Sequence, residues 1–471
     1  MKVTRLKTKL KANPKRVILR YMVIKNELRI IRIINTVLLL PENEVEELLL
    51  KTRTEFKNRH QGFNKILINN FKKIEKHLPS DLKITSNRKL LLGAFFSMEY
   101  SIEAAALFNP SIVPHPDQTG LPEGSLRFIL SLRATGEGHI SSVEFRTGVF
   151  DSDNDLSLEK AIRKTELPKV DNKQVFSKSF VVDRVKNYEN FSKELLDKIP
   201  DKLTLNQLTR FRKQNEFPDS INILTDLLLA NYNIQFNKKR PLEGRVIFPH
   251  SETEIAGIED VRFVKYTGDN SIQYYGTYTA YNGYTTIPQL IETENFIDFR
   301  IRTLHGKAVR DKGMALFPRK VNGKYAMITR EDSESLFISF SDRLHFWDES
   351  KQIRVPTEKW EYVQIGNCGS PIETEKGWLL LTHGVGPIRK YVIGVYLLDL
   401  DDPSKVIGSL KEPLISPDKN EREGYVPNVV YSSGSLIHNG ELIIPYAMSD
   451  AYSGFAKVNV EQLLNELVAQ S

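Results

Sequence analysis

Two adjacent carboxylates and an arginine in Gly257-Ile-Glu-Asp-Val-Arg262 lead directly into the apolar pair Phe263-Val264. Carboxyl groups placed at the start of a strand are candidates for general acid or base work. Other polar residues stand at the edges of apolar runs in the same way. Lys312 lies in Arg310-Asp-Lys-Gly-Met-Ala-Leu-Phe-Pro318, Arg330 follows Ile328-Thr, and His383 is the centre of Thr382-His-Gly384. Arg422-Glu-Gly-Tyr-Val-Pro-Asn428 and Tyr446-Ala-Met-Ser-Asp450 complete the set. Basic residues drawn from different strands to one point would make an anion site, because Lys, Arg and His donors suit phosphate oxygens. Taken singly, each is more readily a surface ion-pair partner than a site residue, and a solvated loop accounts for an isolated E-D-x-R.

Several chemistries find no support. No two histidines and a carboxylate share a metal-ligand spacing, and neither G-x-S-x-G nor a P-loop occurs, which removes metallohydrolase, serine hydrolase and NTPase readings. The single cysteine, Cys368, excludes an internal disulfide framework and agrees with a reducing compartment. The net charge of +7 is concentrated before Glu27, yet no aromatic residue stands among the lysines and arginines from Lys2 to Arg20. The segment therefore reads as a solvated tail or a basic edge strand, and nucleic acid is not an expected partner. No apolar run approaches the roughly 18–20 residues of a membrane span. No secretory signal follows the basic start, so a cytoplasmic address is expected.

The elements that must position these residues change character along the chain. Residues 1–107 read as a mainly helical unit. A strand pair at 17–24 and 28–34 is expected first, then helical spacings at Val45, Leu48, Leu49 and Phe56 and at Phe63, Ile66, Leu67, Phe71 and Ile74, and a third helix from Ser86 on through 90–106. From 108 onward short β-rich runs (127–132, 140–146, 261–266, 274–280, 325–329) are punctuated by Gly, Asn and Asp. They are interrupted at 156–230 by an insertion with helical patterns at 157–165, 187–199, 205–213 and 220–230. Gly323-Lys-Tyr-Ala-Met-Ile-Thr and the run to Trp347 repeat the texture of Tyr274-Tyr-Gly-Thr-Tyr-Thr-Ala280 and the run to Phe299. A repeat of about 50–70 residues is the signature of a propeller, here with about five blades. His115 and His139 fall near strand ends, where turn or strand-cap roles are expected.

Gly257-Ile-Glu-Asp-Val-Arg262 followed by Tyr275-Gly-Thr-Tyr-Thr-Ala-Tyr-Asn282 resembles a block of glycoside hydrolase family 130, the β-mannoside phosphorylases and β-1,2-mannosidases. The stretches around Lys312, His345-Phe-Trp347, Cys368, His383, Asp399, Arg422 and Asp450 resemble further family blocks in the same order, from about 108 to 456 without the insertion. The resemblance implies an all-β fold, a five-bladed β-propeller over 108–471, carrying the N-terminal helical unit and the helical insertion. It implies inverting cleavage of β-mannosides with Asp260 as proton donor, acting through a sugar hydroxyl. Glu259, Arg262, Asp450, Arg133 and Tyr281 would bind the sugar. Lys312, Arg330, His383 and Tyr391 would bind inorganic phosphate, a co-substrate rather than a cofactor. Departures from the family pattern are Val261 in place of proline, Asn367-Cys-Gly-Ser370 in place of a proline-rich stretch, and Thr329 before Arg330.

Physical chemistry distinguishes the two activities. An inverting hydrolase needs a second carboxylate about 6.5–9.5 Å from the first to activate water. Phosphate is already nucleophilic, so a phosphorylase replaces that carboxylate with a cationic cradle. Lys, Arg and His at the matching positions favour phosphorolysis, with hydrolysis as the alternative. A noncatalytic glycan-binding propeller is the third class. The N-terminal helices are expected on the flank of the propeller or at a contact between copies of the chain.

Overall fold

The computed structural model describes residues 1–469 except 172, 187, 189, 215, 269 and 270. These six and residues 470 and 471 lie outside the described residues, and with them position 187, where one expected helix began. The molecule is mostly β with helices at its N-terminus, in the insertion and at the C-terminus.

Among the described residues the β part falls into five antiparallel units in chain order. The first is Ala106–Pro114, Leu126–Thr135 and Ser141–Phe150, extended by the short Leu156–Leu158. The second is Gly257–Gly268, Ser271–Tyr281, Thr286–Thr293 and Asp298–Thr303, onto which Tyr232–Gln235 and Lys169–Val170 add. A single parallel bridge, Gly257 to Ser141, joins the two into one continuous sheet. The third runs Ala315–Leu316, Tyr325–Thr329, Leu336–Ser341 and Ser350–Arg354. The fourth runs Gln364–Asn367, Gly377–Val385, Tyr391–Leu398 and Val406–Ser409. The fifth runs Val430–Tyr431, Glu441–Met448 and Tyr452–Asn459, and its outer strand is Thr4–Lys11 from the start of the chain. Middle strands such as Gly377–Val385 are buried along their whole length, which is why they read as unbroken apolar runs.

The basic N-terminal run is thus an edge strand, and its alternating lysines face solvent while Leu6 and Leu10 pack on a core shared with Phe128, Phe150 and Phe455. Lysine on an edge also discourages further strand addition. Residues 28–34 correct the expected strand pair. They lie in the helix Glu27–Leu39, and Val17–Tyr21 pairs instead with Ser97–Ser101. The isoleucines read as β-prone, but Ile30, Ile34 and Val37 fall on one buried helical face, and the Asn26 side chain caps the start by accepting from Arg29 N. The helix Ser86–Phe95 is shorter than expected because the chain turns into that partner strand at Ser97. In the insertion, 157–165 is not helical: a short strand, Leu156–Leu158, completes the first unit. Lys178–Val185, Lys193–Lys198, Leu205–Gln214 and Pro218–Leu229 are helices around their own core, with Leu203, Leu224 and Val181 fully buried.

The N-terminal helical unit is tied to the first β unit by charge as well as packing. Arg16, fully buried, meets Glu103 at 2.7 Å and Glu144 at 2.6 Å, and Arg146 closes the square onto the same two carboxylates. No helix among the described residues is long and apolar enough to cross a membrane.

Candidate active site

Each β unit carries an Asn or Asp in or next to its first strand, and in the first two units it sits at a break in that strand. Asn109 (φ 47°) and Asp260 (φ 53°) occupy the register shifts of Ala106–Pro114 and Gly257–Gly268. Asp311 (φ 52°) precedes the third unit, Asn367 ends the first strand of the fourth, and Asn428 (φ 61°) precedes the fifth. Asn and Asp tolerate the left-handed region better than other side-chain-bearing residues, and a bulge re-aims a side chain out of the strand's alternation. The same local device therefore turns polar side chains out of several units.

Asp260 is the best-held of these groups. Asn109 Nδ2 donates to its Oδ1 at 2.7 Å, Arg133 donates to the same oxygen at 3.3 Å, and Arg262 donates to its backbone carbonyl at 3.0 Å. Burial pushes the Asp260 carboxyl up, but Arg133, Arg262, the Asn109 amide and Lys312 outweigh it and hold the group below the ordinary carboxylate range. Glu259 accepts from Arg133 at 2.6 Å and lies 3.8 Å from Lys312 Nζ. Arg133 itself is fixed by Ser141 Oγ at 2.8 Å and by the Phe108 ring. Arg262, buried, also donates to Asn367 Oδ1 at 3.1 Å and to the Tyr431 hydroxyl at 2.5 Å.

Asp450 behaves in the opposite sense. It sits with Ser449 in a left-handed turn (φ 50° for both) between Glu441–Met448 and Tyr452–Asn459. Its carboxyl is pushed up to about 6, first by burial and then by the charge of Asp260, against Arg133 and Arg389. In the free protein one carboxylate is held low and its neighbour high, so the two do not take up a proton at the same pH.

The cationic side lies across Arg262. His383 stacks on Tyr391 with ring centroids 5.7 Å apart and meets Tyr431 at 5.0 Å. Burial first, then Arg330 and Arg262, push its imidazole down to about 3, so it is neutral at ordinary pH. Its Nδ1 faces the Asn367 carbonyl at 3.3 Å, and since a carbonyl only accepts, Nδ1 carries the proton. Nε2 is then an acceptor, which fits the Gln364 amide 3.3 Å away. Gly366 forms the floor under His383 and Arg330, where any Cβ would press on both side chains. Arg330 is buried, donates to Asp311 Oδ2 at 3.0 Å, and leaves Nε without a protein partner. Ser333 donates to the same Asp311 oxygen at 3.0 Å.

Residues 209–469, more than half of the chain, match the family model of glycoside hydrolase family 130 described as beta-1,4-mannooligosaccharide phosphorylase. The chain belongs to glycoside hydrolase family 130. It is an enzyme of this mannoside phosphorylase family with an extra N-terminal region. A 1,2-beta-oligomannan phosphorylase of Thermoanaerobacter sp. (strain X514) is 35% identical over 226 residues, 47% of this chain and 75% of that protein. A beta-1,2-mannobiose phosphorylase of the same organism is 36% identical over 223 residues, 45% and 69% of the two chains. A solved beta-1,2-mannobiose phosphorylase from Listeria innocua, in complex with beta-1,2-mannobiose, aligns with a TM-score of 0.48 at 20% identity, over 79% of this chain and 94% of that one.

Within this family-130 chain, the first β unit lies outside the matched residues, yet its Asn109 and Arg133 hold Asp260. Glu259, Asp260, Arg262, Arg133 and Lys312 form one contact network, His383 with Tyr391 and Arg330 adjoins it through Asn367 and Tyr431, and Asp450 joins through the charges of Asp260 and Arg133. Tyr281 does not join. Its hydroxyl donates to the Gly283 carbonyl at 2.8 Å across its own hairpin turn, because it follows the strand out to that turn. Asn109, Asn367, Tyr431, Gln364 and Asp311 belong to the site without having been singled out from sequence. The recurring Asn or Asp at the head of each unit was the available signal. His115 is a turn residue, its Nδ1 taking the Asp117 N–H at 2.9 Å, and His139 faces the Tyr425 hydroxyl at 3.2 Å.

Proposed function

We propose that the five units are the blades of a propeller whose site cleaves β-mannosides by inverting phosphorolysis, with β-1,2-linked manno-oligosaccharides as substrates and mannose 1-phosphate as product. The observation that carries this reading is the pairing of Arg330 with His383 on the Gly366 floor, one residue removed from the Arg262–Asp260 pair. Arg330 offers a guanidinium with an unpartnered Nε, and Lys312 adds a mobile point charge. The names of the Thermoanaerobacter relatives support the β-1,2 linkage.

In this reading hydrogenphosphate attacks the anomeric carbon from the face opposite the leaving sugar. The bond from that carbon to the glycosidic oxygen breaks, and the oxygen takes a proton from Asp260 through a substrate hydroxyl. The proton released by phosphate restores the acid, so atoms and charge balance without a second protein base. His383 Nε2, an acceptor, fits the hydroxyl hydrogen of hydrogenphosphate, while Arg330 and Lys312 take its anionic oxygens. The cations that keep Asp260 ionised in the free protein include Lys312. A phosphate dianion bound there offsets their field and raises the proton affinity of Asp260 when it is needed.

The hydrolytic alternative draws on Asp311, a carboxylate already among the cations. Incubation with β-mannobioses of defined linkage, with and without phosphate, separates the readings. Phosphate-dependent mannose 1-phosphate from the β-1,2 disaccharide supports the proposal, and mannose released at the same rate without phosphate overturns it.

A further inference from the structure

The strand Thr4–Lys11 lies outside the residues that match the family, and its backbone already binds it to Tyr452–Asn459. One of its side chains does more than hold the edge. Arg5 Nε donates to Glu421 Oε1 at 3.0 Å, and its NH2 donates to Oε2 at 3.3 Å and to the Ser416 carbonyl at 2.7 Å. Glu421 is 3% exposed and takes two further donors, the Tyr446 hydroxyl at 2.6 Å and Asp418 N at 3.0 Å. Arg5 is the cation that makes burial of this carboxylate tolerable, since a buried charge without a partner is strongly disfavoured.

Glu421 is in turn attached to the site. Its backbone carbonyl accepts from Ser449 Oγ at 2.7 Å, Ser449 N donates to the Val429 carbonyl at 2.7 Å, and Val426 N donates to the Ser449 carbonyl at 3.0 Å. Ser449 and Asp450 are two consecutive side-chain-bearing residues in the left-handed region, a conformation that persists only when its surroundings enforce it. The same loop carries Tyr425 to His139 and sets Asn428, whose carbonyl accepts from Tyr391 N at 3.0 Å.

We propose that Arg5 and Glu421 are positioning residues: the N-terminal strand clamps the 416–428 loop through this ion pair, of which the carboxylate is buried, and so fixes the turn that presents Asp450 to the mannosyl unit. The part played by Asp450 rests on the function proposed above, whereas the clamp itself does not. Loss of the cation would draw Glu421 toward water, release Ser449 and loosen the turn. The larger effect falls on the sugar side, because Arg330, His383 and Lys312 stand on other units and the loop reaches the phosphate side only through the Asn428 carbonyl on Tyr391 N.

The test uses the full chain with Arg5→Met, which keeps the apolar stem, Arg5→Lys, which keeps the charge, and Glu421→Gln. With β-1,2-mannobiose and phosphate varied separately, Arg5→Met is expected to lower kcat/KM for the mannoside about tenfold while KM for phosphate stays within about twofold, and Arg5→Lys to restore part of the loss. A second readout needs no substrate. The melting temperatures of wild type, Arg5→Met, Asp450→Asn and the double variant form a cycle, measured at about pH 8 and about pH 4. Non-additivity at the higher pH supports the clamp. Additive melting temperatures at both pH values overturn it, as does an Arg5→Met enzyme that is less stable but kinetically unchanged. Should Arg5→Met not fold, the same cycle is run with Arg5→Lys and Glu421→Gln. A wild type that cleaves no mannoside defeats the proposed function alone, and the thermal cycle still decides this inference.

Discussion

Replacing Asp450 by Asn should stabilise the protein at alkaline pH and leave its stability at acid pH unchanged. The Asp450 carboxyl is pushed up from 3.8 to about 6, by burial and by Asp260. The folded form therefore holds this proton more tightly than the unfolded chain does. Below about pH 4 both forms are protonated and the group costs nothing. As pH rises through about 6 the folded protein must carry a charge it disfavours, and stability falls. The full penalty corresponds to about 3 kcal/mol, reduced to about 2 because the residue keeps some solvent contact. Asparagine has the same shape and also tolerates the left-handed backbone at this position, so it removes the charge without strain. Thermal melts of wild type and Asp450→Asn across this range are the assay. A gain at about pH 8 that disappears at about pH 4 is expected. An equal shift at both pH values, or a loss at the higher one, would mean that the folded protein does not disfavour the Asp450 charge. On the proposed function this gain is expected to come with weaker mannoside binding, as for other strained functional sites.

Asp260→Asn should leave the fold intact, since Asn109 shows that asparagine sits well at such a bulge, and should reduce turnover by about 10²–10⁴-fold in steady-state assays. Asp311→Asn frees Arg330 from its ion pair and is expected to lower KM for phosphate about fivefold, and a rise in that KM would show that Asp311 instead aims Arg330 correctly. On the proposed function phosphate binds the folded site and not the unfolded chain, so at about 100 times its dissociation constant it should add about 2.7 kcal/mol of stability, visible as a raised melting temperature that Arg330→Ala abolishes.

The strand-rich texture, the helical spacings within 178–229 and the Glu259–Arg262 run at the start of a strand were legible because each depends on residues close in sequence. Gly257–Gly268 declares itself by its apolar run, and Lys312, Arg330 and His383 by breaking such runs. Contacts between units were not legible. Asn109 and Asp260 are 151 residues apart, and nothing local to either says that they touch. The state of His383 was likewise invisible, because its neutrality comes from burial and from Arg330 and Arg262 on other units. The misread segment 28–34 failed on a different competition, β-branched propensity against helical spacing and an Asn26 cap. The N-terminal edge strand could be named from its charge pattern, but not its place on the fifth unit, since pairing across the whole chain leaves no trace in either strand.

On the proposed function phosphate, not water, attacks the anomeric carbon. Cleavage of β-1,2-mannobiose with phosphate in oxygen-18-enriched water tests it most directly, with products read by mass spectrometry and phosphorus NMR. The expected product is α-mannose 1-phosphate carrying no heavy oxygen at the anomeric position, formed only when phosphate is present. Free mannose with oxygen-18 at the anomeric carbon, produced as the primary product with or without phosphate, would contradict it.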